Sequence, residues 1–310
     1  MVETKTDTNK DISISVDEPI NNNSNELKIL NFFCTYSYTI FLISITILFT
    51  SFISLLTICI LNKNINYIFW INQLSKYLVV ILIQFCMSML VIYKNVKVNY
   101  TRKVIHISFF LWPQILDTIL IKYKQDLYTD LWNTWIIFYV LVLSSEHVRK
   151  RNKFLDNMFK AIDRPEDRPY TLIWFSSQII ATIIVMIPFS IYFKSIDRSG
   201  LIFIPILING LADGLAEPVG VRFGKHKYKT KSCLGSKEYE RSYEGSACVF
   251  FVSLFILIPY YLYMNMNQYI FSLLLIPLMA TLAEAFSPHT WDSPCLFFVV
   301  CSLIIISLQI

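Results

Sequence analysis

Long apolar runs alternate with short charged loops along most of this chain. No Asp, Glu, Lys or Arg occurs in 36–61 or 171–193. An α-helix rises about 1.5 Å per residue, so crossing a hydrocarbon core of about 30 Å takes about 20 residues. Runs of this length predict transmembrane helices rather than strands. The pattern yields nine candidates, at 36–61, 71–93, 104–121, 127–146, 171–193, 200–219, 246–263, 269–286 and 294–310. The third and eighth carry polar residues and are the weakest. The expected fold class is therefore all-α, a polytopic integral membrane protein.

Composition agrees with this. Hydrophobic residues make up 55% of the 310, charged residues 16%, and the mean hydropathy is +0.51. The cations are unevenly placed. Segments 94–103, 147–170 and 220–243 hold 18 of the 27 Lys and Arg. Cytosolic loops are enriched in these residues, which predicts a cytosolic N-terminus, a C-terminus outside, and a shared cytosolic face for these three segments and the 287–293 loop. This topology accounts for the +5 net charge, so nucleic acid is a poor partner assignment. Residues 1–31 are polar and read as a disordered cytosolic tail. They lack a signal-peptide or transit-peptide layout. The seven cysteines form no C-x-x-C pair and mostly sit inside spans, supporting neither a disulfide framework nor a zinc site. The expected organisation is the tail, N-terminal membrane helices at 32–99 and a catalytic membrane domain at 100–310.

The most informative stretch is 209–225. Asp213 and Glu217 sit four apart, one turn above the other on one helical face, and Asn209 extends the stripe. Gly210 and Gly214 form a second stripe that admits another backbone. Gly220, Arg222, Gly224 and Lys225 follow as a flexible cationic turn. Carboxylates that hold a metal or take a proton, beside glycines and cations that hold phosphates, suggest phosphoryl chemistry at a membrane surface. No Walker A sequence and no protein-kinase glycine loop is present.

Three further clusters fall on the same expected face. Arg102, Lys103 and His106 enter the third span, either as interfacial anchors or as phosphate contacts. Asp117, deeper in that helix, is costly in a bilayer unless paired. Arg241, Ser242, Glu244 and Gly245 precede the seventh span. Ser242 and Glu244 suit a helix start, and Arg241 suits a phosphate clamp. Glu284 and Asp292 flank the last cytosolic loop, where His289 reads as an ordinary loop histidine. The mixed-charge segment 163–169 is expected to fold against the same face.

Together these clusters resemble the polyprenol kinase family, the dolichol, phytol and farnesol kinases, which are related to CTP-using phosphatidate cytidylyltransferases. The resemblance rests on R-K-x-x-H at 102–106, the helix end at 211–227, S-Y-E-G-S at 242–246 and A-E-A-F-S-P with the later Asp at 283–292. It covers about residues 100–295 and is closest to the phytol kinase branch. Arg241 stands where the family usually has Lys, and Ser293 where it usually has Asn. The resemblance implies a lipid kinase that uses CTP and Mg2+ to phosphorylate an isoprenoid alcohol held in the bilayer. It further implies Asp213, Glu217 and Asp292 as catalytic, with Asp213 and Glu217 on the metal. Gly220, Arg222, Gly224, Lys225, Arg241, Ser242 and Gly245 would hold the nucleotide. Phosphatidate cytidylyl transfer is the alternative. A transporter fits less well, since the polar residues gather at one face and no inverted repeat is visible.

Overall fold

A computed structural model of the chain describes residues 24–61, 67–120, 127–231, 238–288 and 291–310. The expected tail lies outside the described residues up to residue 23, as does His289. Helix α1 already begins at Ser24 and runs Ser24–Leu61. It is followed by α2 (Tyr67–Lys94), α3 (Val98–Leu120) and α4 (Leu127–Leu143). Two short helices, α5 (Glu146–Arg149) and α6 (Lys153–Phe159), lead to α7 (Thr171–Ser195). Next come α8 (Phe203–Leu207), a π-helical stretch Ile208–Asp213 and α9 (Gly214–Phe223). The remainder is a hairpin of β1 (Lys227–Lys231) and β2 (Glu238–Ser242), then α10 (Tyr243–Leu257), α11 (Met266–Phe286) and α12 (Asp292–Ser307).

Among the described residues, six helical segments are long and apolar enough to cross a membrane: Phe41–Leu61, Tyr67–Lys94, Thr171–Ser195, Ser199–Phe223, Tyr243–Leu262 and Met266–Phe286. They mark the chain as an integral membrane protein, and most of it is helical. The expected eighth span is among them. Three others differ from expectation for identifiable reasons. Helix α3 carries Arg102, Lys103 and Asp117, which dilute its hydropathy. The apolar part of α4, Leu131–Leu143, and all of α12, Asp292–Ser307, fall short of the required length. Large apolar side chains such as Ile47, Ile184, Ile191 and Leu274 are exposed along the spans, the surface a bilayer covers rather than water.

The segment Ser199–Phe223 stands apart. Its most apolar window is 67% buried, against 6% for Thr171–Ser195, which places it at the centre of the helical body. Ile204, Ile208 and Ala212 contribute to a core shared with Val249, Leu257, Ile276, Phe297, Val300 and Ile304. Small residues make the position possible. A Cβ on Gly210 would lie 2.7 Å from Phe110 Cβ, and one on Gly214 would lie 2.4 Å from Ile107 Cγ1. The glycine stripe thus admits α3 at close range, and α3 packs on both the π stretch and α9.

The polar connection after α9 is not a plain turn, and the chain is not wholly helical. Residues 227–231 (K-Y-K-T-K) and 238–242 (E-Y-E-R-S) each alternate, and a strand has period two. They pair antiparallel, with Lys229 opposite Glu240 and Tyr228 opposite Arg241. Lys227 bonds Glu240 at 2.8 Å and Lys229 bonds Glu238 at 3.0 Å. Ser242 then caps α10, its hydroxyl accepting from Gly245 N at 3.1 Å. The same hydroxyl lies 2.7 Å from where a Gly220 Cβ would be, so the end of α9 is pressed against the cap.

Gly214→Ala should lower stability by about 1–3 kcal/mol, the usual range for overpacking. Thermal denaturation in detergent measures it. Adding Ile107→Ala should restore part of the loss, because Ile107 is the obstructing side chain; an additive double variant would contradict this packing.

Candidate functional site

Five segments of the chain meet in one polar cavity of about 620 Å³. Its walls come from the start of α3 (Asn99, Arg102, Lys103), the 163–167 turn (Arg164, Glu166), the π stretch and α9 (Asp213, Glu217, Gly220, Gly224), β2 and the start of α10 (Arg241, Ser242, Gly245, Ser246), and the α11–α12 region (Glu284, Asp292). Seven carboxylates and five cations line it, so its lining is net negative.

Asp213 is the most enclosed carboxylate of the group, 2% exposed. Lys103 Nζ reaches its Oδ1 at 2.9 Å and Oδ2 at 3.0 Å, and also donates to its backbone carbonyl at 3.0 Å. His106 Nε2 lies 3.2 Å from Oδ2 and 2.9 Å from the Asn209 carbonyl. A proton on Nε2 serves both acceptors. The R-K-x-x-H spacing explains the arrangement: Lys103 and His106, three apart on α3, present one face to one carboxylate. Asn209 is wholly buried, and neither of its side-chain polar atoms has a hydrogen-bond partner. It sits in the π stretch, a helical form that recurs at functional sites.

Glu217 is held by cations. Arg102 bonds Oε2, while Asn99 Nδ2 at 2.8 Å and Arg164 Nη1 at 3.2 Å bond Oε1. Arg164 is itself 4% exposed and grips Asp167 through Nε at 2.7 Å and Nη2 at 2.6 Å. Glu284 pairs with Arg241, which also donates to the Glu284 carbonyl and to Ser287 Oγ at 3.3 Å. Burial on its own would lower the Arg241 pKa, but the surrounding acidic groups, Glu284 first among them and then Asp292, together outweigh it and hold the guanidinium above its ordinary value. Tyr228, hydrogen-bonded to Ser246 at 2.7 Å, is pushed up by burial.

Asp292 differs from the other three. Its Oδ1 accepts from Gln178 Nε2 at 2.8 Å and from Ser293 N at 3.0 Å, both neutral donors. Gln178 also donates to Ser293 Oγ at 2.9 Å. The residue that stands where Asn is usual in the resembled pattern thus shares the glutamine that orients the acid.

Other expected residues have different surroundings. Arg222 and Lys225 are exposed and do not line the cavity; Arg222 lies over the Phe223 ring instead. Glu244 accepts from the backbone N–H groups of Lys225 and His226 at 3.0 and 3.2 Å, pinning the start of the hairpin. Gly224 meets Gly220 and Ser242 so closely that any Cβ would collide. Packing alone requires a glycine there. Sequence reading missed Asn99 and Gln178 as members of the cluster. Each is a single polar residue without a motif, and only the fold brings them in. No group of three or more His, Cys, Asp or Glu arranged to hold a metal ion occurs among the described residues.

No family model, no curated protein and no solved structure matches the chain.

Glu217→Gln should destabilise the protein by about 2 kcal/mol, because it leaves two largely buried guanidinium groups facing a neutral amide. Adding Arg102→Gln should recover part of this in a double-mutant cycle read by thermal denaturation. Strict additivity would mean that the Arg102–Glu217 pair contributes nothing.

Proposed function

We propose that this cavity transfers the terminal phosphoryl group of a nucleotide, most simply CTP, to the hydroxyl of an isoprenoid alcohol lying in the bilayer. The observation that carries the reading is the convergence, on one cavity, of the four polar clusters that resemble the polyprenol kinase pattern. Phosphoryl transfer asks for positioning and charge neutralisation rather than a covalent intermediate. The lining supplies both, with cations from α3, β1 and β2 and a carboxylate held by neutral donors.

The net-negative lining suits phosphates that arrive with their own divalent cation better than bare phosphates. Magnesium takes one or two carboxylates together with substrate phosphates. Asp292 fits that demand, since among the described residues its Oδ1 is bonded by neutral donors. Asp213 fits if Lys103 turns toward the phosphates. Glu217 fits poorly, because two arginines and Asn99 already occupy its oxygens, so its role in this reading is to fix Arg102 and Arg164. When bound, the ion would neutralise charge on the phosphate oxygens.

The remaining work falls to the protein. Lys103, Lys227 and Arg241 neutralise the phosphates. Asp292 accepts the proton of the attacking hydroxyl as the new P–O bond forms and the bond to the departing diphosphate breaks. Gln178 orients Asp292 for that step. The shared face is the cytosolic one in this reading, where soluble nucleotide is available.

Purified protein in detergent, with labelled CTP or ATP and a panel of prenols, should yield a phosphorylated alcohol and the nucleoside diphosphate. With phosphatidate included in the panel, a CDP-lipid formed from it with release of pyrophosphate would instead identify cytidylyl transfer, and no labelled lipid from any alcohol would reject the kinase reading. Asp213→Asn and Asp292→Asn should each lower turnover at least about a hundredfold, the scale of a lost proton-transfer or electrostatic contact. Near-normal turnover in a folded Asp292→Asn protein would remove Asp292 from the mechanism.

A further inference from the structure

A second cavity, an apolar groove of about 810 Å³, lies between α2, α3, α4 and α7. Ile81, Phe110, Pro113, Ile136, Met186 and Ile187 are among its walls, and among the described residues its charged lining residues are Lys76 and Lys194. Resting on the phosphoryl-transfer reading above, we propose that this groove holds the hydrocarbon chain of the acceptor alcohol, and that the buried Lys76–Asp117 pair sets the length of chain it favours.

Proximity to the polar cavity points to the occupant. Phe110 forms part of the groove wall, and its ring packs on His106 with centroids 4.9 Å apart. His106 in turn is 3.2 Å from Asp213. Two ring side chains, Phe110 and His106, therefore stand between the groove and Asp213 of the polar cavity. A molecule with a hydroxyl at one end and a long apolar body matches both surfaces at once. The groove volume is within the range of small-molecule sites.

The length argument comes from α3. His106 and Asp117 are eleven residues apart, a rise of about 16 Å. At the far position Lys76 Nζ meets Asp117 Oδ1 at 2.7 Å, and Asn72 Nδ2 donates to the same oxygen at 2.7 Å. Lys76 and Tyr77 both line the groove there, together with Gln114 and Asn133. The Tyr77 hydroxyl bonds Gln73 at 3.1 Å. The apolar lining is thus interrupted by a polar rung. Buried ionisable groups inside a membrane are expensive, and a pair serving only to join α2 to α3 has no need to face a groove. An extended carbon chain gains about 1.25 Å per bond, so about 16 Å holds about three isoprene units. A longer chain meets the rung or must leave sideways into the bilayer.

The test uses the full chain in lipid nanodiscs. Turnover is measured on geraniol, farnesol, geranylgeraniol and a long polyprenol, and a farnesol carrying a diazirine maps chain contacts without requiring transfer. The parent protein should favour farnesol over geranylgeraniol and, more strongly, over the long polyprenol, the latter by at least about tenfold, a difference of about 1.4 kcal/mol. The diazirine should label α2, α3, α4 or α7 at groove residues, competed by farnesol. Lys76→Met with Asp117→Leu replaces the pair by apolar residues of similar size, which buried pairs often tolerate. It should narrow the chain-length gap by raising turnover of the longer alcohols relative to farnesol, an effect that loss of a merely structural pair would not produce. Should that variant fail to fold, Ile136→Trp, which fills the groove, should penalise geranylgeraniol more than geraniol.

An unchanged chain-length profile in a folded variant overturns the proposal. So does a preference for the long polyprenol, labelling outside the groove, or groove labelling that farnesol does not compete, which would mean ordinary bilayer lipid fills it. Groove labelling competed by farnesol, without phosphorylation of any alcohol, would sink the kinase reading while leaving the groove assigned to the chain.

Discussion

The contact between Lys103 and Asp213 organises the rest. It joins α3 to the most enclosed part of the chain, and both partners are almost completely out of solvent. A charge in such surroundings is tolerable only when paired and hydrogen-bonded. Lys103 meets this condition with both carboxylate oxygens and the backbone carbonyl of the same residue, and His106 adds a further contact. The pair therefore fixes the register of α3 against the central segment. The glycine stripe opposite Phe110 and Ile107 sets how closely the two can approach. Once that register is set, Arg102 faces Glu217 one turn on, and the polar cavity has its first two walls.

The remaining walls follow similar electrostatic logic. Arg164 connects the 163–167 turn to Glu217, and Arg241 connects the hairpin to Glu284. Three of the four inner carboxylates are thus tied to cations from other segments, while Asp292 is positioned by neutral donors. The contrast separates three carboxylates that tie segments together from one held by neutral donors.

Much of this organisation was legible in the sequence. Charge-free runs located most of the membrane helices, and the four-residue spacing of Asp213 and Glu217 placed both on one face. The rest was hidden for physical reasons. Asn99 and Gln178 carry no local pattern; they matter only because α3 and α7 pass the cavity at the right height. The hairpin was masked by its lysines, which suggested a solvated loop although their alternation with Tyr and Thr was already that of a strand. Gly220 and Gly224 suggested a phosphate cradle, but their most evident role is steric, making room for the Ser242 cap. Of the nine expected spans, six meet the length and hydropathy of a membrane crossing among the described residues; α3 is more charged, and the apolar parts of α4 and α12 are shorter.

The central segment also has a consequence for how the protein is made. Of the six apolar segments it has the lowest hydropathy, 1.6 against 1.8–2.3 for the others, and it is the most buried. It contains Asn209, Asp213 and Glu217, groups that lipid cannot solvate. The helix carrying the most polar cargo is therefore the one least able to remain in a bilayer alone. Its insertion depends on α3, already synthesised, offering Lys103 and Arg102, and its core is complete only when α10, α11 and α12 follow. Biogenesis of this protein is thus an assembly problem centred on one helix, and the polar groups that line its cavity are also those that make that helix wait for its neighbours.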